Sequence, residues 1–280
     1  MRIEYLVSTI VLLFLYSWLF FPFIYSIYIS FFEYVLTRPD VFRFVGIKNY
    51  VQLFNDHMFY TSLTITFTYA VIALTIEFLL GLGIALFLSK DMYGVGIMRI
   101  VVGIPILLVP AATTILWKAL SSKTYGIFDL ITSYLGLGSL GWWDDPVLSS
   151  ILVILVDVWQ WTPFVAIVLL AAILGLPKEP YEAAKVDGLS TYTVFTKITL
   201  PMLRPTIMII LILRFLDLLK LLEPVLLITK GSYPTLSMYV WRYVFKSLNI
   251  GFGGAFSTIY WLIAWILATI LLRIFLKYRI

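Results

Sequence analysis

Charged residues inside long apolar runs are the first side chains here with chemistry to offer. Arg214, Asp217, Lys220 and Glu223 follow one another at steps of three within one such run. A charge at the centre of a bilayer costs at least ~2.5–3.5 kcal/mol on insertion scales, so these residues default to functional candidates. Neighbours at i,i+3 can pair along a helix, Arg214 with Asp217 and Lys220 with Glu223. Steps of three drift by about 60° each, so Arg214 and Glu223 end on opposite faces and the four cannot line one cavity. Asp157 and Gln160 share the same spacing in another run, beside Trp159 and Trp161, with Thr162-Pro163 following. At a rise of about 1.5 Å per residue, Asp157 and Arg214 each sit about 13 Å into their runs, near mid-depth. Polar groups beside an indole face suit a sugar, whose hydroxyls take hydrogen bonds and whose C–H faces pack on aromatics. Asp157, Trp159, Gln160, Arg214 and Asp217 are therefore the candidate substrate pathway. The competing reading is structural pairing between helices, for instance Asp157 with Arg214, and it stands level for Lys220 and Glu223.

Other residues read more plainly. Trp161 suits packing or an interface better than binding. Glu77 reads as a buried carboxyl paired with a neighbouring helix in preference to a gate. Pro163 denies the carbonyl of Trp159 its helical partner, so a kink or opening is expected there. Gly251, Gly253 and Gly254 suit a turn or close helix packing before the last run. His57 is expected to be solvated in an outer loop, and Arg273, Lys277 and Arg279 to anchor at the interface.

Several chemistries are excluded. There is no cysteine and a single histidine, so thiolate catalysis, disulfides and Cys- or His-rich metal sites are ruled out. A six-span intramembrane hydrolase needs a nucleophile and base at membrane depth, yet no histidine lies in an apolar run and no G-x-S-x-G occurs. No G-x-x-x-x-G-K-[ST] occurs either, so this chain does not cradle ATP phosphates itself. No catalytic residue and no metal ligand is assigned.

The elements that hold these residues must be membrane helices. Of 280 residues, 62% are hydrophobic and 12% charged, against about 25% charged in soluble domains. Six continuous apolar runs reach the roughly 20 residues a spanning helix needs: 5–32, 59–89, 97–120, 148–175, 205–228 and 253–276. Their continuity favours helices over alternating barrel strands. The first run is too long for a signal-peptide core and lacks a small-residue cleavage site, so it is expected to stay as a helix. The fold expected is an all-α membrane protein with six transmembrane helices in a single domain, 1–280. With the N-terminus inside, the denser basic clusters, 178–204 and 273–279, also fall inside, which places both termini in the cytoplasm. The net charge of +5 is scattered over loops and helix ends, so it reads as lipid headgroup contact and topology; no nucleic acid is expected.

The 176–204 link carries the most specific signal. Pro180 can open a short helix, Ala183 and Ala184 allow another surface to approach closely, and Glu182 offers a charge to a partner. Gly188 permits a sharp exit. The run Glu182-Ala183-Ala184-Lys185-Val186-Asp187-Gly188, continuing to Ile198-Thr199-Leu200-Pro201, resembles the EAA motif of ABC importer permeases. The competing reading is an ordinary amphipathic interfacial helix. Gly46-Ile47-Lys48-Asn49-Tyr50, Gly81-Leu82-Gly83 and Trp159-Gln160-Trp161-Thr162-Pro163-Phe164 resemble motifs of the sugar-uptake branch, that of maltose and glycerol-3-phosphate permeases. Leu227-Ile228-Thr229-Lys230-Gly231-Ser232-Tyr233-Pro234 looks like a variant of that branch's Leu-Thr-x-Gly-Gly-Pro, with Tyr233 in place of a glycine.

That resemblance implies a type I ABC importer permease fold with a cytoplasmic coupling helix. Glu182, Ala183, Ala184, Asp187 and Gly188 would then contact an ATPase. It also implies a second related permease, two ATP-binding subunits that bind ATP and Mg, and an extracytoplasmic sugar-binding protein, with no cofactor in this chain. The cargo implied is a mono- or oligosaccharide; a polyol or glycerol phosphate is the alternative, and a stand-alone secondary carrier the alternative from another class.

Overall fold

The computed structural model describes residues 2–38, 40–136 and 138–277. Arg279, expected as an interfacial anchor, and Leu137, in the loop before the fourth run, lie outside them, as does the Lys277 side chain. In chain order the elements are α1 (Arg2–Ile29), β1 (Phe32–Tyr34), β2 (Phe42–Phe44), α2 (Lys48–Phe54), α3 (His57–Leu88), α4 (Val95–Gly103), α5 (Pro110–Leu120), α6 (Ile127–Tyr134), α7 (Pro146–Leu174), α8 (Glu179–Val186), α9 (Thr191–Val194), α10 (Leu200–Leu218), α11 (Glu223–Ile228), α12 (Leu236–Trp241) and α13 (Ile250–Lys277). The strands form one small antiparallel hairpin, β1 with β2, in a link that the sequence presents only as polar.

Among the described residues, four helices are long and apolar enough to cross a membrane: α1 over Val11–Ile29, α3, α7, and α13 over Ile250–Phe275. The third expected span, 97–120, is not one straight helix. It breaks into Val95–Leu107 and Pro110–Leu120, bent by 98°. Pro110 has no N–H to continue the ladder, and it pushes the residue before it into extended backbone; Leu108 and Val109 have ψ of 143° and 133°. The fifth expected span, 205–228, is also interrupted. α10 ends at Leu218 and α11 begins at Glu223. Pro224 cannot donate to the carbonyl of Lys220, so a helix cannot run through it unbroken. Lys220 and Glu223 are therefore not neighbours on one helix: both are exposed and no ion pair joins them among the described residues. The helical geometry assumed for that pair fails at the break.

Two smaller expectations are narrowed and one, the loop placement of His57, is corrected. α7 runs through Pro163 without opening. His57 is not in a loop; it is the exposed first residue of α3, with Thr61 Oγ1 3.2 Å from its Nδ1. Gly251, Gly253 and Gly254 lie inside α13, and they serve packing, not a turn.

The described residues fall into two compact units, one from Met1–Leu63 with Leu236–Leu267, the other from Thr64–Thr235 with Ala268–Ile280. In the first, Leu53, Phe59, Leu236, Tyr239, Phe252 and Phe256 make the core. Tyr239 donates its hydroxyl to the Asp56 carboxylate, and burial together with that carboxylate pushes the phenol above its ordinary range. A Cβ on Gly251 would sit 2.1 Å from the Phe32 carbonyl oxygen, and one on Gly254 2.9 Å from that of Ser26. Only glycine lets α13 approach this close to the chain at the end of α1.

In the second unit α3, α7 and α10 pack together through Ala85, Leu88, Val165, Leu169, Leu170 and Ile210, and through Ala70, Ala73, Val158 and Leu218. A Cβ on Gly81 would fall 2.7 Å from Val165 Cβ, so α3 and α7 can pack this closely here only because the residue is glycine. These three helices carry Glu77, Asp157, Arg214 and Asp217.

Candidate functional site: a three-helix charge cluster and an exposed helical stub

α10 brings Arg214 into contact with both neighbouring helices. Its Nε and Nη2 donate to the two carboxylate oxygens of Glu77 on α3, each at 2.8 Å. Nη2 also donates to Asp157 Oδ2 on α7 at 2.8 Å, and Nη1 to Asp217 Oδ2 at 2.5 Å, one turn along α10. The Trp161 ring covers the guanidinium, 4.7 Å from centroid to Cζ. Glu77 and Arg214 are sealed from solvent, whereas the Asp217 side chain is 45% exposed. A planar guanidinium has enough donors in a fixed fork to satisfy three carboxyls at once.

The five pathway candidates thus separate into groups. Asp157, Arg214 and Asp217 join one network. Gln160 is buried on the same helix as Asp157, and its Nε2 donates at 2.8 Å to the carbonyl of Leu108. That carbonyl is left without a helical donor by the break before Pro110. Trp159 packs edge-on against Trp117 of α5 at 6.0 Å and remains 37% exposed. Only Trp159 and Asp217 of the five are reachable from outside this unit's interior.

Sequence reasoning foresaw the i,i+3 contact of Arg214 with Asp217 and the paired state of Glu77, and it named the pairing of Asp157 with Arg214 as the competing, structural reading, which the structure shows. It did not find that Glu77 joins the same guanidinium, nor that Trp161 covers it. Glu77 and Arg214 stand 137 positions apart, so no local spacing could signal the contact.

The 176–204 link forms a second, separate feature. α8 has Pro180 in its first turn, with Glu179 and Glu182 there to complement the helix dipole. Glu182, Ala183 and Asp187 are exposed, while Ala184 faces inward. Gly188 has φ +66°, a left-handed conformation that costs other residues roughly 1–2 kcal/mol. The Leu189 N–H closes back on the Ala184 carbonyl at 3.0 Å, completing the helix end. Ser190 then caps α9, accepting from the Thr193 N–H. A π-helical turn over Phe195–Thr199 feeds directly into α10. Tyr181 donates to Thr199 Oγ1 at 3.0 Å, tying the stub to the foot of the helix that carries Arg214.

A third group clips three loops. Lys123 bonds Asp144 at 2.9 Å, and Lys230 lies 3.6 Å from the same carboxylate. The bond holds the Asp144 carboxyl below its usual range and the Lys123 ammonium above its own.

Residues 77–278 match the family model described as "Binding-protein-dependent transport system inner membrane component". The chain is 32% identical over 216 residues to the trehalose/maltose transport system permease protein MalF of Thermococcus litoralis, covering 77% of this chain and 73% of that one. Its backbone is similar to that of a bacterial ABC transporter involved in the import of the acidic polysaccharide alginate. The TM-score is 0.85 and the identity 20%, over 99% of this chain and 96% of the other. A second structure, of an alginate ABC transporter in complex with an alginate pentasaccharide-bound periplasmic protein, matches with a TM-score of 0.83 at 20% identity, over 96% of this chain and 93% of the other.

Proposed function

Because the chain belongs to the binding-protein-dependent transport system inner membrane component family, we propose that it forms half of the path by which an ATP-driven importer takes up a sugar. It is a multi-pass permease subunit and not an enzyme; ATP is hydrolysed elsewhere in such assemblies. Its partners are a second related permease, two ATP-binding subunits that hold ATP and Mg, and an extracytoplasmic binding protein that delivers the cargo. We read the whole of 1–280 as one transmembrane domain of six crossings in the cell (inner) membrane, with α4–α5 and α10–α11 as the two interrupted ones and both termini in the cytoplasm.

The feature that supports coupling is the α8 stub. It is short, exposed at Glu182, Ala183 and Asp187, closed by Gly188, and bonded through Tyr181 to the base of α10. A push on this stub by a closing ATPase dimer moves α10, and with it the Arg214 cluster. Rocking of packed helices in this way gives alternating access. Along the path, Trp159 offers an indole face and Asp217 a carboxylate to the cargo, while Asp157, Gln160 and Arg214 hold them in place. A sugar fits this better than a phosphate ester, because three carboxyls surround the one guanidinium. The relative named for trehalose/maltose transport supports the same cargo class.

The test is Glu182→Lys in the assembled transporter. Membrane insertion should be normal and substrate-stimulated ATP hydrolysis abolished. Full stimulation in that variant rejects the role given to α8.

A further inference from the structure

The Arg214 cluster has more carboxyls than one guanidinium can balance. With all three ionised, three carboxylates less one guanidinium leave two negative charges in excess. Asp217 is half exposed and can be hydrated. Glu77 and Asp157 cannot, because both are buried between α3, α7 and α10. An uncompensated buried ion costs several kcal/mol even after relaxation. Among the described residues, the charged groups facing Asp157 are Arg214, Glu77 and Asp217, those facing Arg214 are the three carboxyls, and no second cation pairs with them. Trp161, over the guanidinium, has no charge to contribute.

Geometry adds an independent constraint. Arg214 Nη2 bonds Glu77 and Asp157 at once, which draws the two carboxyls together around a single nitrogen. The two accepting oxygens, Glu77 Oε1 and Asp157 Oδ2, each lie 2.8 Å from that one nitrogen. Carboxylate oxygens only accept, so a bond between two carboxyls requires a proton on one of them.

We propose that Glu77 and Asp157 bind one proton between them at neutral pH. The pair then carries a single negative charge, which Arg214 neutralises, and the clasp joining the three helices is charge-balanced where water does not reach. The proton bridges α3 and α7, and the guanidinium ties both to α10. Asp217 keeps its charge toward the exposed side. This inference rests on the membrane fold alone and stands whatever the cargo.

Infrared spectroscopy of the full-length chain in lipid nanodiscs tests it. A protonated carboxyl C=O band, recognised by its downshift in heavy water, is expected at neutral pH. The band should weaken or vanish in Glu77→Gln and in Asp157→Asn. Absence of the band in the unmodified protein, or a band unchanged in both variants, overturns the proposal. Thermal melting gives a second readout. Glu77→Gln, neutral but still an acceptor, should melt with the parent protein, and Glu77→Leu clearly lower. If Glu77→Gln falls as far as Glu77→Leu, Arg214 needs a second full negative charge and no proton is shared.

Discussion

Arg214 reaches across 137 positions of sequence to set its Nε and Nη2 on the two carboxylate oxygens of Glu77, both at 2.8 Å. The same side chain bonds Asp157 and Asp217, so one residue of α10 fixes the spacing of three helices. Removing it leaves buried carboxyls with no counter-charge. Arg214→Met should therefore destabilise the chain by about 3–5 kcal/mol, the usual consequence of breaking a buried ion pair from one side. Arg214→Lys should recover only part of this, because an ammonium cannot bond Glu77 with two parallel donors. Thermal melting in detergent, compared across the three proteins, checks both statements.

The bond from Tyr181 to Thr199 Oγ1 ties the α8 stub directly to the base of α10. Tyr181→Phe deletes it with little change of shape. Stability should fall by about 1 kcal/mol. The larger effect should be on coupling: more ATP consumed per molecule of cargo in proteoliposomes. An unchanged stoichiometry would show that force passes along the backbone turn alone.

Two glycines should respond with opposite signs. Gly251→Ala places a Cβ 2.1 Å from the Phe32 carbonyl oxygen, so backbone must move. A loss of about 1–3 kcal/mol is expected from overpacking. Gly83→Ala, inside α3 with nothing within 4 Å of its Cβ, should instead gain about 0.5–1 kcal/mol of helix propensity. Melting of the two variants side by side distinguishes packing from propensity.

Asp144 has its carboxyl lowered chiefly by the hydrogen bond from Lys123. Its support for the loop is present above the ordinary carboxylate pKa and is lost as pH falls through the lowered value. The raised Lys123 ammonium gives the converse at the basic end, with support lost as pH rises through its raised value. A carboxyl-carbon NMR titration should show Asp144 moving up toward the ordinary range in Lys123→Ala, with Lys230 still holding it below. No movement would mean that the clip does not form in solution.

Much of this was readable along the chain. Continuous apolar runs with so few charges can only satisfy their backbone in lipid as helices, and that requirement is local, so the number and placement of the runs could be counted. The α8 stub was equally legible. Pro180, the paired alanines and Gly188 all act within the short stretch 180–188, and Gly188 takes the left-handed φ that its position demands. The two breaks were written in Pro110 and Pro224 as well, but hydropathy averages over a window and does not register one missing N–H. What only the tertiary structure decided is the partner of each buried charge. Spacing shows which side chains share a helix face, so it could pair Arg214 with Asp217. It does not show which helices lie side by side. Glu77, Asp157 and Trp161 meet Arg214 because Gly81 lets α3 close on α7 and their apolar faces pack with α10, and that arrangement belongs to the assembled helices, not to any stretch of sequence.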